Sequence, residues 1–188
     1  DVAMMLMTAL LAVCFAPLAS DSVEADFEVR EKIVYSKVAD RELLLDAWVP
    51  NKEGTHPAVL VVHGGAWRSG DRRQLRGYAN ALAKRGFACF AIDYRLAPND
   101  KFPAQIEDCR EAVKWIRAHA AEYKVNPDKL GAIGYSAGGH LVCLLATTGE
   151  APSEKNGQVD TRIQCVAAGG APTDFRTAAD NGNWARYW

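Results

Sequence analysis

Three short, almost uninterrupted apolar runs, residues 58–62, 87–94 and 130–135, constrain this chain more than any other feature. A run of this length without alternation fits a strand covered on both faces, the condition of a parallel sheet lying between layers of helix. The segments between them have helical spacing. Leu75, Tyr78, Ala79 and Leu82 recur at helix intervals, and Gly86 supplies a stop. Ile106, Cys109, Val113, Ile116 and Ala120 mark a second helix, with Glu107, Arg110, Glu111, Lys114 and Arg117 on its wet face. Asn126-Pro127-Asp128 reads as a turn, 137–147 as a third helix, and 163–168 as a further strand beyond a polar loop at 151–162. Two strands of partial alternation, 28–36 and 42–49, precede all of these and are joined by a turn at 37–41. The expected fold is therefore α/β, a mostly parallel sheet flanked by helices. Ligand sites in such sheets lie beyond the carboxyl ends of the strands.

With 188 residues, the chain has room for one compact domain. Its 22 basic side chains against 23 acidic ones exclude a nucleic-acid binder, which needs a cationic surplus, and also a polybasic membrane patch. An apolar fraction of 49 % excludes disorder. That fraction is inflated at the start, where residues 2–19 are apolar except for Thr8 and Pro17 and hold all three methionines, Met4, Met5 and Met7. Residues 1–25 resemble a secretory signal that lacks its charged front end, with small residues placed for cleavage before Asp26. The expected location is secreted or periplasmic, and membrane association is expected only through an uncleaved signal. Cys14 would leave with the signal. Cys89, Cys109, Cys143 and Cys165 have no metal-ligand spacing and are expected to be buried structural thiols.

Two motifs fall at the expected strand ends. Gly134-Tyr135-Ser136-Ala137-Gly138 follows a buried strand and opens a helix, matching G-x-S-x-G in letters and in context. A strand that reverses into a helix within about two residues strains the serine backbone and lifts its hydroxyl above the sheet. Gly134 and Gly138 let neighbouring segments approach, and the helix start aims free N–H groups at developing negative charge. The second motif, His63-Gly64-Gly65-Ala66-Trp67, ends the 58–62 strand. Its glycines allow backbone amides to turn inward as oxyanion donors, each worth about 3 kcal/mol of transition-state stabilisation.

With these motifs the chain resembles the α/β-hydrolase superfamily, and within it secreted carboxylesterases of the His-Gly-Gly-x-Trp type, acetyl-sugar and feruloyl esterases among them. Asp93-Tyr94-Arg95-Leu96-Ala97-Pro98, Phe102-Pro103-Ala104-Gln105 with Asp108, Trp115-Ile116 and Ala171-Pro172-Thr173-Asp174 support the likeness. The resemblance implies a serine hydrolase of carboxylic esters acting through an acyl-enzyme on a small-molecule ester, a carbohydrate ester being one candidate. Ser136 would be the nucleophile, and Gly65, Ala66 and Ala137 the oxyanion donors, with Gly64 a lesser contributor. Arg95 and Asp108 would be scaffold groups, His63 a brace for the oxyanion loop, and Trp67 either a stacking surface at the site rim or a packing residue. No metal or organic cofactor is implied. Two other readings remain open: an amide hydrolase of the arylformamidase or peptidase type on the same fold, and a non-catalytic binding protein.

The family's acid and base follow the serine in chain order, yet no histidine follows His140. His56 is expected far from the catalytic edge and His119 exposed, with His140 packed against the oxyanion loop. Asp174 follows the last strand but reads as a structural cap and is left out of the site. Related esterases carry two more strands, so residues 26–188 are expected to be the first two thirds of the domain without the last two strands, acid or base. Taken alone, the 188 residues are then expected to be inactive.

Overall fold

A computed structural model describes residues 26–152 and 159–175. The signal-like segment 1–25, most of the 151–162 loop's centre and the aromatic residues beyond Phe175 lie outside the described residues. The elements are β1 (Phe27–Val38), β2 (Arg41–Pro50), β3 (His56–Val62), α1 (Arg76–Ala83), β4 (Ala88–Ile92), α2 (Ala104–Ala118), β5 (Val125–Tyr135), α3 (Ala137–Thr148) and β6 (Cys165–Gly169). They form one sheet in the order β1-β2-β4-β3-β5-β6. β1 and β2 pair antiparallel, β2 meets β4 antiparallel, and β4, β3, β5 and β6 run parallel.

Alternation along the strands divides the core into two layers. Leu43, Leu45 and Ala47 of β2, Ala58, Leu60 and Val62 of β3, and Phe90 and Ile92 of β4 face α2 and α3, meeting Ile106, Cys109, Val113, Ile116, Leu141 and Leu145. Trp48, Val61, Cys89 and Ala91 point the other way, against Ala79 and Ala83 of α1 and Leu75 at its N-cap. Each large aliphatic or aromatic side chain sealed in this way contributes about 1.5–3 kcal/mol. The buried Trp48 indole N–H is satisfied by Asn80 Oδ1 at 2.6 Å, which removes the cost of a stranded donor. α1 stops at a left-handed Gly86 (φ +88°), with the Phe87 N–H returning to the Leu82 carbonyl.

The structure corrects several expectations. Asn126-Pro127-Asp128 does not separate elements but lies within β5, as a register irregularity between the His56–Val125 and Ala58–Leu130 pairs. Tyr78 shares the helical spacing of the core residues yet is 54 % exposed, because α1 is only eight residues long and its buried stripe runs through Leu75, Ala79 and Ala83. β6 is the outermost described strand beside β5, and Cys165, Val166, Ala167 and Ala168 are exposed. Of the four thiols, Cys89 and Cys109 are buried as expected, Cys143 is half-buried and Cys165 exposed. All four are free. His119 is half-buried rather than exposed, its ring stacked on Trp115 with centroids 4.1 Å apart.

One charged cluster ties the sheet to the loop after β3. The Arg72 side chain donates from Nε to Asp46 Oδ1 at 2.8 Å and from Nη1 to Asp93 Oδ2 at 2.7 Å. Its backbone N–H reaches Asp93 Oδ1 at 2.8 Å, and the Lys32 N–H also reaches Asp46 Oδ1. Asp46 is buried in the middle of β2. Removing one member of a buried pair leaves an uncompensated charge and costs about 3–5 kcal/mol. The Asp46→Ala protein is expected to unfold in urea with a stability lower by about 3 kcal/mol, and Asp46→Asn with a smaller loss because it keeps an acceptor. Equal losses for the two variants would show that the charge is immaterial.

Candidate active site

β5 ends at Tyr135 and α3 begins at Ala137, leaving Ser136 alone to make the reversal. Its backbone has φ 53° and ψ −118°, outside the regions open to L-residues, at a cost of order 1–3 kcal/mol. The strained residue is pinned on both sides: its N–H donates to the Gly169 carbonyl of β6 at 2.7 Å, and its carbonyl accepts from the His140 N–H at 3.0 Å. A serine at a helix start ordinarily folds back to cap a free N–H. Ser136 makes no such side-chain bond, because its backbone is not in the extended conformation that capping needs. The hydroxyl is left half-buried and available. A Cβ on Gly134 would strike the Gly138 carbonyl, and one on Gly138 would strike the carbonyls of Val62 and His63. The reversal therefore packs directly on the end of β3.

That strand end continues into the second motif. The Gly64 carbonyl accepts from His63 Nδ1 at 2.7 Å, and the Gly65 carbonyl accepts from the N–H groups of Arg68 and Ser69 and from Ser69 Oγ, each at 3.1 Å. A peptide's N–H points opposite to its carbonyl. Fixing the carbonyls of Gly64 and Gly65 thus fixes where the N–H groups of Gly65 and Ala66 point. Neither N–H donates to any acceptor among the described residues, and nor does that of Ala137 in the first turn of α3. The end of α3 adds the partial positive charge of a helix N-terminus. Gly64 departs from expectation. Its N–H is taken by Gln74 Oε1 at 2.8 Å, which removes it from the set of free donors.

Gly65, Ala66 and Trp67 are successive left-handed residues, with φ +111°, 51° and 60°. Glycine tolerates this, and a Cβ on Gly65 would overlap the Ser69 carbonyl. For Ala66 and Trp67 the conformation costs roughly 1–2 kcal/mol each. The Trp67 ring provides the offset. It is 4 % exposed, edge-on to His140 at 5.4 Å and tilted against Phe175 at 6.0 Å. The reading of Trp67 as a stacking surface at the rim is therefore corrected: a ring that holds its own strained loop in the core has no open face for a ligand.

The four histidines occupy separate positions. His63 is buried and stacked on Tyr94 at 4.2 Å, with the Tyr94 hydroxyl donating to the His63 carbonyl at 3.0 Å. Since a carbonyl only accepts, the hydrogen sits on Nδ1 of His63. Burial lowers the pKa, so the ring braces the loop in its neutral form. His140 is also held below the ordinary histidine range by burial, and its ring packs on Trp67 of the oxyanion loop as expected, with Phe175 completing a cluster of three rings. His56 opens β3 at the opposite end of the strand, bonded to the Lys52 carbonyl, and His119 caps α2. No histidine among the described residues hydrogen-bonds the Ser136 hydroxyl. Asp174 is exposed, next to the Phe175 that packs on Trp67 and His140. No three His, Cys, Asp or Glu side chains gather as metal ligands among the described residues.

Arg95 and Asp108 form the expected scaffold pair, with the Arg95 N–H at 2.7 Å and Nε at 2.9 Å from the buried carboxylate. Sequence reasoning missed Gln74 and the Asp46–Arg72–Asp93 cluster. Asp46 carried a signal, a lone charge inside the apolar run 43–49. Gln74 carried none, because an amide in a polar loop looks like solvated surface.

The sequence model of the BD-FAE family matches residues 45–186. The probable carboxylic ester hydrolase LipM of Mycobacterium tuberculosis is 38 % identical over 130 residues, covering 68 % of this chain and 30 % of its own length. A thermophilic esterase of Thermogutta terrifontis, solved with butyrate bound, superposes with a TM-score of 0.64 at 31 % identity, over 75 % of this chain and 52 % of its own. Esterase B of Lactobacillus rhamnosis gives 0.71 at 29 % identity, over 86 % of this chain and 56 % of its own. The chain thus spans about a third of the length of its curated relative and about half that of the solved esterases. The family model covers three quarters of the chain, and the chain belongs to the BD-FAE family of α/β-hydrolase carboxylesterases.

Proposed function

We propose that the whole protein hydrolyses carboxylic esters by way of an acyl-enzyme on Ser136. One observation carries this reading: a serine hydroxyl released from helix capping stands beside a loop and a helix start whose N–H groups of Gly65, Ala66 and Ala137 have no acceptor among the described residues. The Ser136 oxygen attacks the ester carbonyl carbon, and the electron pair of the broken C=O bond passes to the carbonyl oxygen. The three N–H groups stabilise that oxyanion in fixed positions, which costs no reorganisation as charge develops. The tetrahedral intermediate collapses, the alcohol leaves with a proton, and water then releases the acid by the same route.

The proton needs a base, since an unassisted serine is a poor nucleophile at neutral pH. His63 is committed to the Gly64 carbonyl and His140 to the Trp67–Phe175 packing, so the base and its orienting acid are assigned to the whole protein beyond the described residues. The ester class is favoured over amides by the named activities of the relatives. Within esters, acetylated sugars and feruloyl esters are the substrates that the His-Gly-Gly-x-Trp resemblance favours. A panel of an aryl acetate, an acetylated sugar, a feruloyl ester and a formyl-anilide would rank them, and turnover of the anilide above all esters would move the reading to amides.

In the whole protein, Ser136→Ala is expected to lower kcat on an aryl acetate by at least about a thousandfold with an unchanged melting temperature. Retention of more than a tenth of the rate would remove Ser136 from the reaction. The 188-residue chain assayed alone is expected to show no turnover that Ser136→Ala abolishes. A Ser136-dependent rate from it would identify His63 or His140 as the base.

A further inference from the structure

We infer that Gln74 is a positioning residue for the oxyanion site, setting how the amide loop stands relative to Ser136; this rests on the ester-hydrolase reading above. Gln74 is exposed, yet its Oε1 accepts the Gly64 N–H at 2.8 Å. Only an oxygen can face an N–H donor, so the orientation of the carboxamide is fixed by chemistry. The same peptide unit is held at its other end, where the Tyr94 hydroxyl donates to the His63 carbonyl at 3.0 Å. Gln74 and Tyr94 therefore clamp the His63–Gly64 peptide from opposite sides, and the next peptide unit carries the free Gly65 N–H.

Gly64 is also where the loop touches the nucleophile. A Cβ placed on it would lie 2.9 Å from the Tyr135 carbonyl and 3.3 Å from Ser136 Cβ. Any roll of this residue changes the separation between the serine and the donors. The anchor behind Gln74 is rigid: its own N–H donates to the Asp71 carbonyl at 3.1 Å, and the intervening Arg72 is fixed by Asp46 and Asp93. A line of bonds thus runs from a buried carboxylate in β2, through Arg72 and the 71–74 turn, to the Gly64 amide. Without the Gln74 oxygen the Gly64 N–H loses its acceptor, the peptide is held on one side only, and the Gly65 N–H loses its fixed aim.

The test uses the whole enzyme with Gln74→Met, which keeps the side chain's length and removes the acceptor. Its substrates are an aryl acetate and the matching thionoacetate, whose developing sulfur anion gains less from N–H donors than an oxyanion does. The expected result is a roughly tenfold fall in kcat on the ester, about 1.4 kcal/mol, with KM within about twofold. The ester-to-thionoester preference should fall by a similar factor and the melting temperature stay unchanged. An unchanged kcat, or an equal fall on both substrates, overturns the inference, the second because loss of folded enzyme lowers both alike. Ser136→Ala run beside it separates the two levels: retained turnover there sinks the hydrolase reading itself, whereas abolished turnover with a silent Gln74→Met sinks only the role of Gln74.

Discussion

The parallel pairing of β3 with β5, in which Val62 stands opposite Gly134, is the constraint on which the site depends. It places the last residues of two strands side by side at one edge of the sheet, so that each chain leaves its strand at the same height. β3 then runs into the His63–Trp67 loop and β5 into the Ser136 reversal. The glycines are explained by this proximity. Gly138 admits the carbonyls of Val62 and His63, and Gly64 admits the Tyr135 carbonyl and Ser136. A methyl group at either place would force the two loops apart. The chemistry is assembled by backbone closeness, and side chains mostly serve to hold that backbone.

Strain is concentrated where the two loops meet. Ser136, Ala66 and Trp67 are all non-glycine residues with positive φ, together costing several kcal/mol. Such conformations persist only where their surroundings over-determine them. Here the supports are visible: Gly169 and His140 hold the serine peptides, His63 and Ser69 hold the glycine carbonyls, and Trp67 is locked by burial of its ring. What the molecule gains is two N–H groups in the loop and one at the helix start with no partner among the described residues. The Ala66 residue is exposed, so water can solvate its N–H and leaving it unpaired costs little there.

Legibility from sequence followed the range of the interaction. The sheet was readable because burial on both faces demands unbroken apolar runs, and 58–62, 87–94 and 130–135 carry them. The reversal at Ser136 and the His63–Trp67 loop were legible because each needs glycine at fixed spacing. The misses have a common cause in tertiary contact. Tyr78 has the spacing of a buried residue and faces outward, and Cys165 lies in an apolar strand at the sheet's edge. Trp67 was left open between a ligand surface and a packing residue because nothing local reveals that His140 and Phe175 pack on it. The Asp46–Arg72–Asp93 cluster joins residues 26 and 21 positions apart, a pairing no local pattern encodes.

The neutral His63 ring shows why the brace is histidine rather than a stronger donor. A lysine or arginine at this buried position would bring a full charge into the core, with a desolvation penalty of several kcal/mol per ion. Asparagine carries an N–H at the same distance from the backbone but has no ring to stack on Tyr94, and serine is shorter still. An imidazole whose pKa is lowered by burial offers one N–H, a flat apolar face and no net charge. The donors that face the site among the described residues are then oriented amides and the start of α3. Amide dipoles act at contact distance, and a protonated ring would add a charge that also stabilises the serine alkoxide before attack. In the proposed reaction, a neutral brace leaves the stabilisation to the oxygen that becomes charged, which is the distinction between binding a ground state and lowering a barrier.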